Sequence, residues 1–360
     1  ITPCLFIKHE DDEYVIVSIY VDDLNIFGTP QITEDTITRL KTTFEMKDLG
    51  HTNFCLGLQL EILPTGMMLH QTTQTEKILK QFNMNLAHPL TSPMVVRSLE
   101  NNTDVFRKRE KHKPLLGPET PYLSAIGALM YLANQTRPDI AFAGNLLARH
   151  SATPTARHWN GVKHVFRYLR GTTDTGLFYP FGANHELTGY ADAGYLSDTD
   201  TAKSQTGYVF TIGGTAFSWK SVKQTLTATS SNHLEILALH EASREAVWLR
   251  SFINHINTKC GLPTLTKPTN IFEDNAACIQ QITKGFIKGD RVKHIAPKFF
   301  YTHELHGAEI NILQISSADN RADLFTKSLP PAIHHRHCQA IGLRSVRRMM
   351  TVEAAAPHDD

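Results

Sequence analysis

The stretch Leu187-Thr188-Gly189-Tyr190-Ala191-Asp192-Ala193-Gly194 alternates as a β-strand does, with Leu187, Gly189 and Ala191 on one face and Thr188, Tyr190 and Asp192 on the other. Small residues flank the acid, so a bulky partner can approach it. A second strand follows at Thr206–Ile212, then Gly213-Gly214, then a third at Thr215–Trp219. Two consecutive glycines between β-rich runs predict a tight hairpin, because both can take positive φ. Asp192 is therefore expected on the first strand of a three-stranded antiparallel meander. Its role depends on what else reaches it.

Three later acids are candidates, and each has a structural alternative. Glu235 shares a 3.6-period stripe with Ala238, Leu239, Ala242, Ala246 and Leu249, which turns this carboxylate toward a buried face. Asn232 and Glu235 also have capping-box spacing, which would spend the acid on a backbone N–H. Asp274 ends the short strand Asn270-Ile271-Phe272-Glu273-Asp274, a position where α/β folds place ligands and where Asp also caps helices. Asp323 follows Asn320 by three residues at the head of a late helix, as a cap partner or as a further site acid.

Near the start, Tyr14–Val21 and Leu24–Gly28 read as a buried β-hairpin with Asp22-Asp23 at its tip. The pair is either turn chemistry or a cation site, since adjacent carboxylates in an apolar setting repel.

A length of 360 residues suggests two or three domains, and 41% hydrophobic with 20% charged residues describes a globular chain. The net charge of +1 neither requires nor excludes nucleic acid. The 5 cysteines form no Cys-x-x-Cys pair, which suggests a reduced, intracellular setting. No apolar run is long enough to span a bilayer, so no membrane partner is expected. The chain begins without Met in a β-like run, as a fragment would. Prolines and the basic run 107–113 predict an exposed linker over 91–120 that could touch phosphates. Helices follow over 121–172, the third with Thr153 as N-cap and Pro154 at its first position. His334-His335-Arg336-His337-Cys338 is too tightly spaced for a standard zinc site and reads as a helical surface.

Tyr20-Val21-Asp22-Asp23 between apolar strands resembles the polymerase motif of reverse transcriptases. The ordered blocks after it (Phe44–Gly50, Phe54–Leu58, Gly66–Gln71, Thr75–Met84) resemble copia-type retrotransposon Pol polyproteins. The segments 122–132, 136–142, 158–172, 189–210, 227–249, 273–279, 291–305 and 319–330 resemble the connection and ribonuclease H of the same family, so that the likeness covers nearly all of residues 5–330. The resemblance implies an α/β protein: an α+β palm and thumb remnant over 1–90, a linker and helical connection over 91–184, a ribonuclease H-like mixed five-stranded sheet with flanking helices over 185–330, and a tail over 331–360. It implies that Asp192, Glu235, Asp274 and Asp323 converge on two divalent ions, Mg²⁺ or Mn²⁺, and hydrolyse RNA in an RNA–DNA hybrid. Gln205, Asn232 and Asn275 are then candidates for reading the 2′-OH. Asp22 and Asp23 would be metal-site acids of a polymerase centre whose third carboxylate lies upstream of this sequence, so primer extension by the chain alone is not expected. Template–primer, the rest of the Pol polyprotein and, by family, a cytoplasmic virus-like particle are the implied context. An inactive remnant that only binds nucleic acid is the alternative. Some ribonucleases H carry a histidine on the loop before the last acid; here that loop is Ser316-Ser317-Ala318, while His294, His303 and His306 lie earlier.

Overall fold

A computed structural model describes residues 4–97, 106–198, 201–228, 230–285 and 296–354. His294 lies outside them. The first unit is an antiparallel sheet of β1 (Leu5–Glu10), β2 (Glu13–Tyr20) and β3 (Asp23–Gly28), backed by α1 (Pro30–Thr43). Proline fits the first helical turn, where its missing N–H has no partner to lose. α1 packs on β2 and β3, while a later helix, Ser231–Lys259, touches β1. Val15 and Ile32 are buried and most of the hairpin is half-buried, but Phe6, Tyr20, Val21 and Phe27 stay exposed, so the hairpin expected to be buried is only partly covered.

The second sheet is assembled from distant segments. β4 (Phe54–Cys55), β5 (Leu58–Leu63) and β6 (Gly66–His70) lead into α2 (Thr72–Gln81), and the connection supplies α3 (Tyr122–Gln135), a 3₁₀ turn at Pro138–Ile140, α4 (Ala141–Ala148), α5 (Ala156–Gly171) and β7 (Thr175–Pro180). The cap of α5 is Thr155, not Thr153. His158 takes the place usually held by Glu in a capping box, its Nδ1 accepting from the Thr155 N–H at 3.1 Å.

The third sheet contains Asp192. β8 (Leu187–Asp198), β9 (Lys203–Ile212) and β10 (Thr215–Lys223) form the expected meander, with Gly213 and Gly214 both at positive φ. Then come α6 (Ser231–Lys259), β11 (Thr269–Glu273), α7 (Ala276–Lys284), α8 (Ala296–Leu305) and β12 (Ile310–Gln314). The strand order is β10-β9-β8-β11-β12, with β11 parallel to both β8 and β12. This is the mixed five-stranded sheet with flanking helices that the sequence implied. α9 (Pro331–Ala340), β13 (Leu343–Ser345) and α10 (Val346–Ala354) close the chain, and β13 pairs with β7, which pairs with β6.

Both faces of the Asp192 sheet are covered. On one, Leu187, Ala191, Phe210 and Ile271 pack beneath Ile236, Leu239 and Ala246 of α6. On the other, Tyr190, Val209 and Ala216 join a cluster with Leu129, Leu147, Phe166 and Phe325. The Trp219 indole donates to the Ala133 carbonyl at 2.8 Å across this junction. The expected limits at residues 90, 184 and 330 thus run through a hydrogen-bonded sheet and a shared apolar core.

The tail is helical, with His335 and Arg336 on the surface and a second face turned inward. His334, His337 and Cys338 are buried, and His334 Nε2 lies 3.2 Å from the Asp139 carbonyl. Asp139 is held by Arg137 at 2.7 Å and by the Tyr168 hydroxyl at 2.6 Å, in a buried ion pair that Arg137 extends to Thr172. A buried charge pair of this kind persists only when its remaining donors and acceptors are satisfied.

Candidate metal centre

Strand alternation and two helix starts bring the acids together. Asp192 is central on β8, opposite Gly207 of β9. A side chain at Gly207 would collide with Phe325 Cβ at 2.7 Å and Thr326 Cγ2 at 2.6 Å, so glycine lets the 321–326 segment settle over Asp192. That segment is a 3₁₀ turn, Arg321–Phe325, where a longer helix was expected. Asn320 caps it by accepting from the Ala322 N–H at 3.1 Å, and donates to the Ala191 carbonyl at 2.8 Å.

The capping alternatives resolve in favour of other residues. Ser230 caps α6, accepting from the His233 N–H at 3.3 Å, so Glu235 is free of that duty. Asn275 caps α7, accepting from the Cys278 N–H at 3.0 Å, which leaves Asp274 outside the cap. Carboxylate oxygens of Asp192, Glu235 and Asp274 lie within 4.8 Å of one another, a spacing that could hold a metal ion. Glu235 Oε2 is buried without a hydrogen-bond partner among the described residues.

Asp323 approaches through a cation. Lys327 Nζ lies 2.6 Å from Asp323 and 3.3 Å from Asp192, and the Thr326 hydroxyl donates to the other Asp192 oxygen. Burial, and then repulsion from Glu273, Asp192 and Asp274, push the Glu235 carboxyl well above the usual carboxylate range. Burial and Asp192 raise Asp323 to about 7 against the lowering pull of Lys327. Burial alone would depress the Lys327 ammonium, but the two aspartates outweigh it and raise it.

Asp22 and Asp23 are not part of this cluster. They are exposed at the β2–β3 tip, where Tyr20 pairs with Asp23 and Val21 sits at φ 54°. A β-branched residue there is a strained outlier, of order 1–3 kcal/mol. Gln205 is fully buried and bonded to Asn145, Ser221 and Arg149, away from solvent, and Asn232 donates to the Gln281 side chain.

Three neighbours of the acids escaped the sequence reading. Lys327 lies four residues after Asp323, an ion-pair spacing that could have flagged it, and Thr326 beside it had no such signal. Glu273 shares the inward face of β11 with Ile271 and is wholly buried, so alternation alone pointed to it.

Its sequence relatives place the chain among retrotransposon polyproteins, and it belongs to the copia-type retrotransposon Pol family. Residues 1–96 match the reverse transcriptase (RNA-dependent DNA polymerase) family. The Pol polyprotein from transposon TNT 1-94 of Nicotiana tabacum is 33% identical over 336 residues, covering 91% of this chain and 24% of that protein. That from transposon RE2 of Arabidopsis thaliana is 30% identical over 345 residues, covering 95% and 23%. The chain thus spans about a quarter of the length of these relatives. Among solved structures, ribonuclease H1 of Halobacterium salinarum aligns over 39% of this chain and 94% of its own, with 18% identity and a TM-score of 0.29. Among the described residues, no helix is long and apolar enough to cross a membrane.

Proposed function

We propose that the Asp192 cluster is a divalent-cation-dependent nuclease centre that hydrolyses the RNA strand of an RNA–DNA hybrid. The observation that carries the reading is the set Asp192, Glu235 and Asp274 within 4.8 Å, drawn from a strand, a helix start and a strand end. These residues fit a hard cation. Their donors are carboxylate oxygens, Glu235 Oε2 is buried with no partner among the described residues, and a cationic group, Lys327, already bridges Asp192 and Asp323. Asp192, Glu235, Asp274 and Asp323 would hold Mg²⁺ or Mn²⁺. Two such ions, when bound, supply Lewis acidity to the attacked phosphate and acidity to a bound water.

The chain's own residues do the rest. Thr326 and Asn320 fix Asp192 and its strand, and the caps Ser230 and Asn275 leave Glu235 and Asp274 available. Lys327 neutralises Asp192 and Asp323 between turnovers and would have to release them for a cation to enter. Asp22 and Asp23 are proposed as acids of a polymerase centre completed elsewhere in the polyprotein, with template–primer and the rest of Pol as partners.

The same lysine favours a second reading, in which an internal ammonium replaces the metal and the domain only binds nucleic acid. Cleavage of an end-labelled RNA–DNA hybrid decides between them. On the first reading the wild-type chain cuts the RNA strand in Mg²⁺, stops in EDTA, and leaves duplex DNA intact, while Asp274→Asn is inactive. Equal behaviour of wild type and Asp274→Asn would remove the nuclease assignment.

A further inference from the structure

The turn that aims Asp274 needs its own support. After β11 the chain must leave the sheet and begin α7 within two residues, and the N–H groups of Asp274 and Asn275 fall between the strand ladder and the helix. The last ladder bond is the Ile315 N–H to the Glu273 carbonyl at 3.0 Å, and the Asn275 side chain is committed to the Cys278 N–H. Both orphaned donors instead reach one atom. Glu273 Oε1 accepts from the Asp274 N–H at 3.2 Å and from the Asn275 N–H at 3.1 Å.

Glu273 does this from inside the protein. Its side chain is 0% exposed, on the same strand face as Ile271 and behind the residue it serves. A buried carboxyl is a costly way to satisfy two N–H groups unless their placement matters. Its second oxygen, Oε2, has no hydrogen-bond partner among the described residues, so the carboxyl is oriented by these two bonds alone.

We infer that Glu273 is a positioning residue for the cation centre: its Oε1 clamps the Asp274-Asn275 turn and so holds the Asp274 carboxylate against Asp192 and Glu235. The inference rests on the cation-site reading above. It assigns Glu273 no contact with substrate. What matters is an acceptor oxygen at the end of a side chain of this length, which Gln supplies and Met does not.

The test uses the full chain without nucleic acid. Amide hydrogen exchange is followed at Asp274 and Asn275 in EDTA, and Mg²⁺ affinity is measured by calorimetry, for wild type, Glu273→Gln and Glu273→Met. Glu273→Met should lose protection at those two amides and bind Mg²⁺ about tenfold or more weakly, the usual effect of removing a residue that orients a metal ligand, while Glu273→Gln stays within about threefold. A folded Glu273→Met with wild-type protection and affinity overturns the inference. So does a folded Glu273→Gln that loses either one, which keeps the test decisive should the Met variant not fold. A wild-type chain that binds no Mg²⁺ would instead sink the cation-site reading.

Discussion

Removing the charge at Asp323 should change how the metal-free protein responds to pH. Burial and Asp192 raise this carboxyl from 3.8 to about 7. The folded state therefore keeps its proton over a range in which the unfolded chain has lost it, and holds more protons than the unfolded chain between those values. Stability from this group is fully present below about pH 4 and is lost as pH rises through about 7. At about 1.4 kcal/mol per pH unit, the loss is capped at ~4 kcal/mol. Two buried histidines act in the opposite sense. Burial holds His150 at about 3 and His337 at about 4, so their contribution disappears as pH falls below the ordinary imidazole value of 6.5. The quantity to read is thus the difference between wild type and Asp323→Asn, which cancels the histidines. Thermal or urea unfolding in EDTA from pH 4 to 8 should show that difference falling with pH, and Mg²⁺ should restore wild-type stability at pH 8. A difference that is flat or rises with pH would refute the burial and repulsion assigned to Asp323.

Other outcomes follow from named contacts. Lys327→Met should lower the melting temperature in EDTA, because Asp192 and Asp323 lose their shared ammonium, and the deficit should shrink in Mg²⁺; an equal deficit in both conditions would count against the counter-ion role. Asp139→Ala leaves Arg137 buried and unpaired and should cost about 3–5 kcal/mol by urea unfolding, against near-wild-type stability if the network is dispensable. Limited proteolysis should leave α2 through α10 together, since Val209, Ala216 and Phe325 share a core with Leu129 and Leu147. Release of a stable fragment spanning 185–330 alone would contradict that.

Much of the Asp192 half was legible because its signals are local. Period-2 alternation, a Gly-Gly turn and a 3.6-period stripe each lie within one element, and their order matched a family. The caps were harder. Ser230, Ser231 and Asn232 are all good N-cap types within three positions, so only the backbone could show which one is used. Within the second sheet only the pairing of β6, β7 and β13 left no trace in the sequence, because these strands are separated by more than a hundred residues and their pairing has no local signature. The partial exposure of the Asp22-Asp23 hairpin is a matter of packing: apolar strands signal that a face seeks cover, but not which element supplies it. Glu273 was overlooked because Asp274 beside it carried the recognisable motif.

Crystals soaked in Mn²⁺ and measured at its absorption edge should show anomalous density among Asp192, Glu235, Asp274 and Asp323, with the Lys327 ammonium displaced from Asp192. Density elsewhere, or a cluster that stays metal-free at saturating Mn²⁺ with Lys327 still in place, would contradict the cation-site reading.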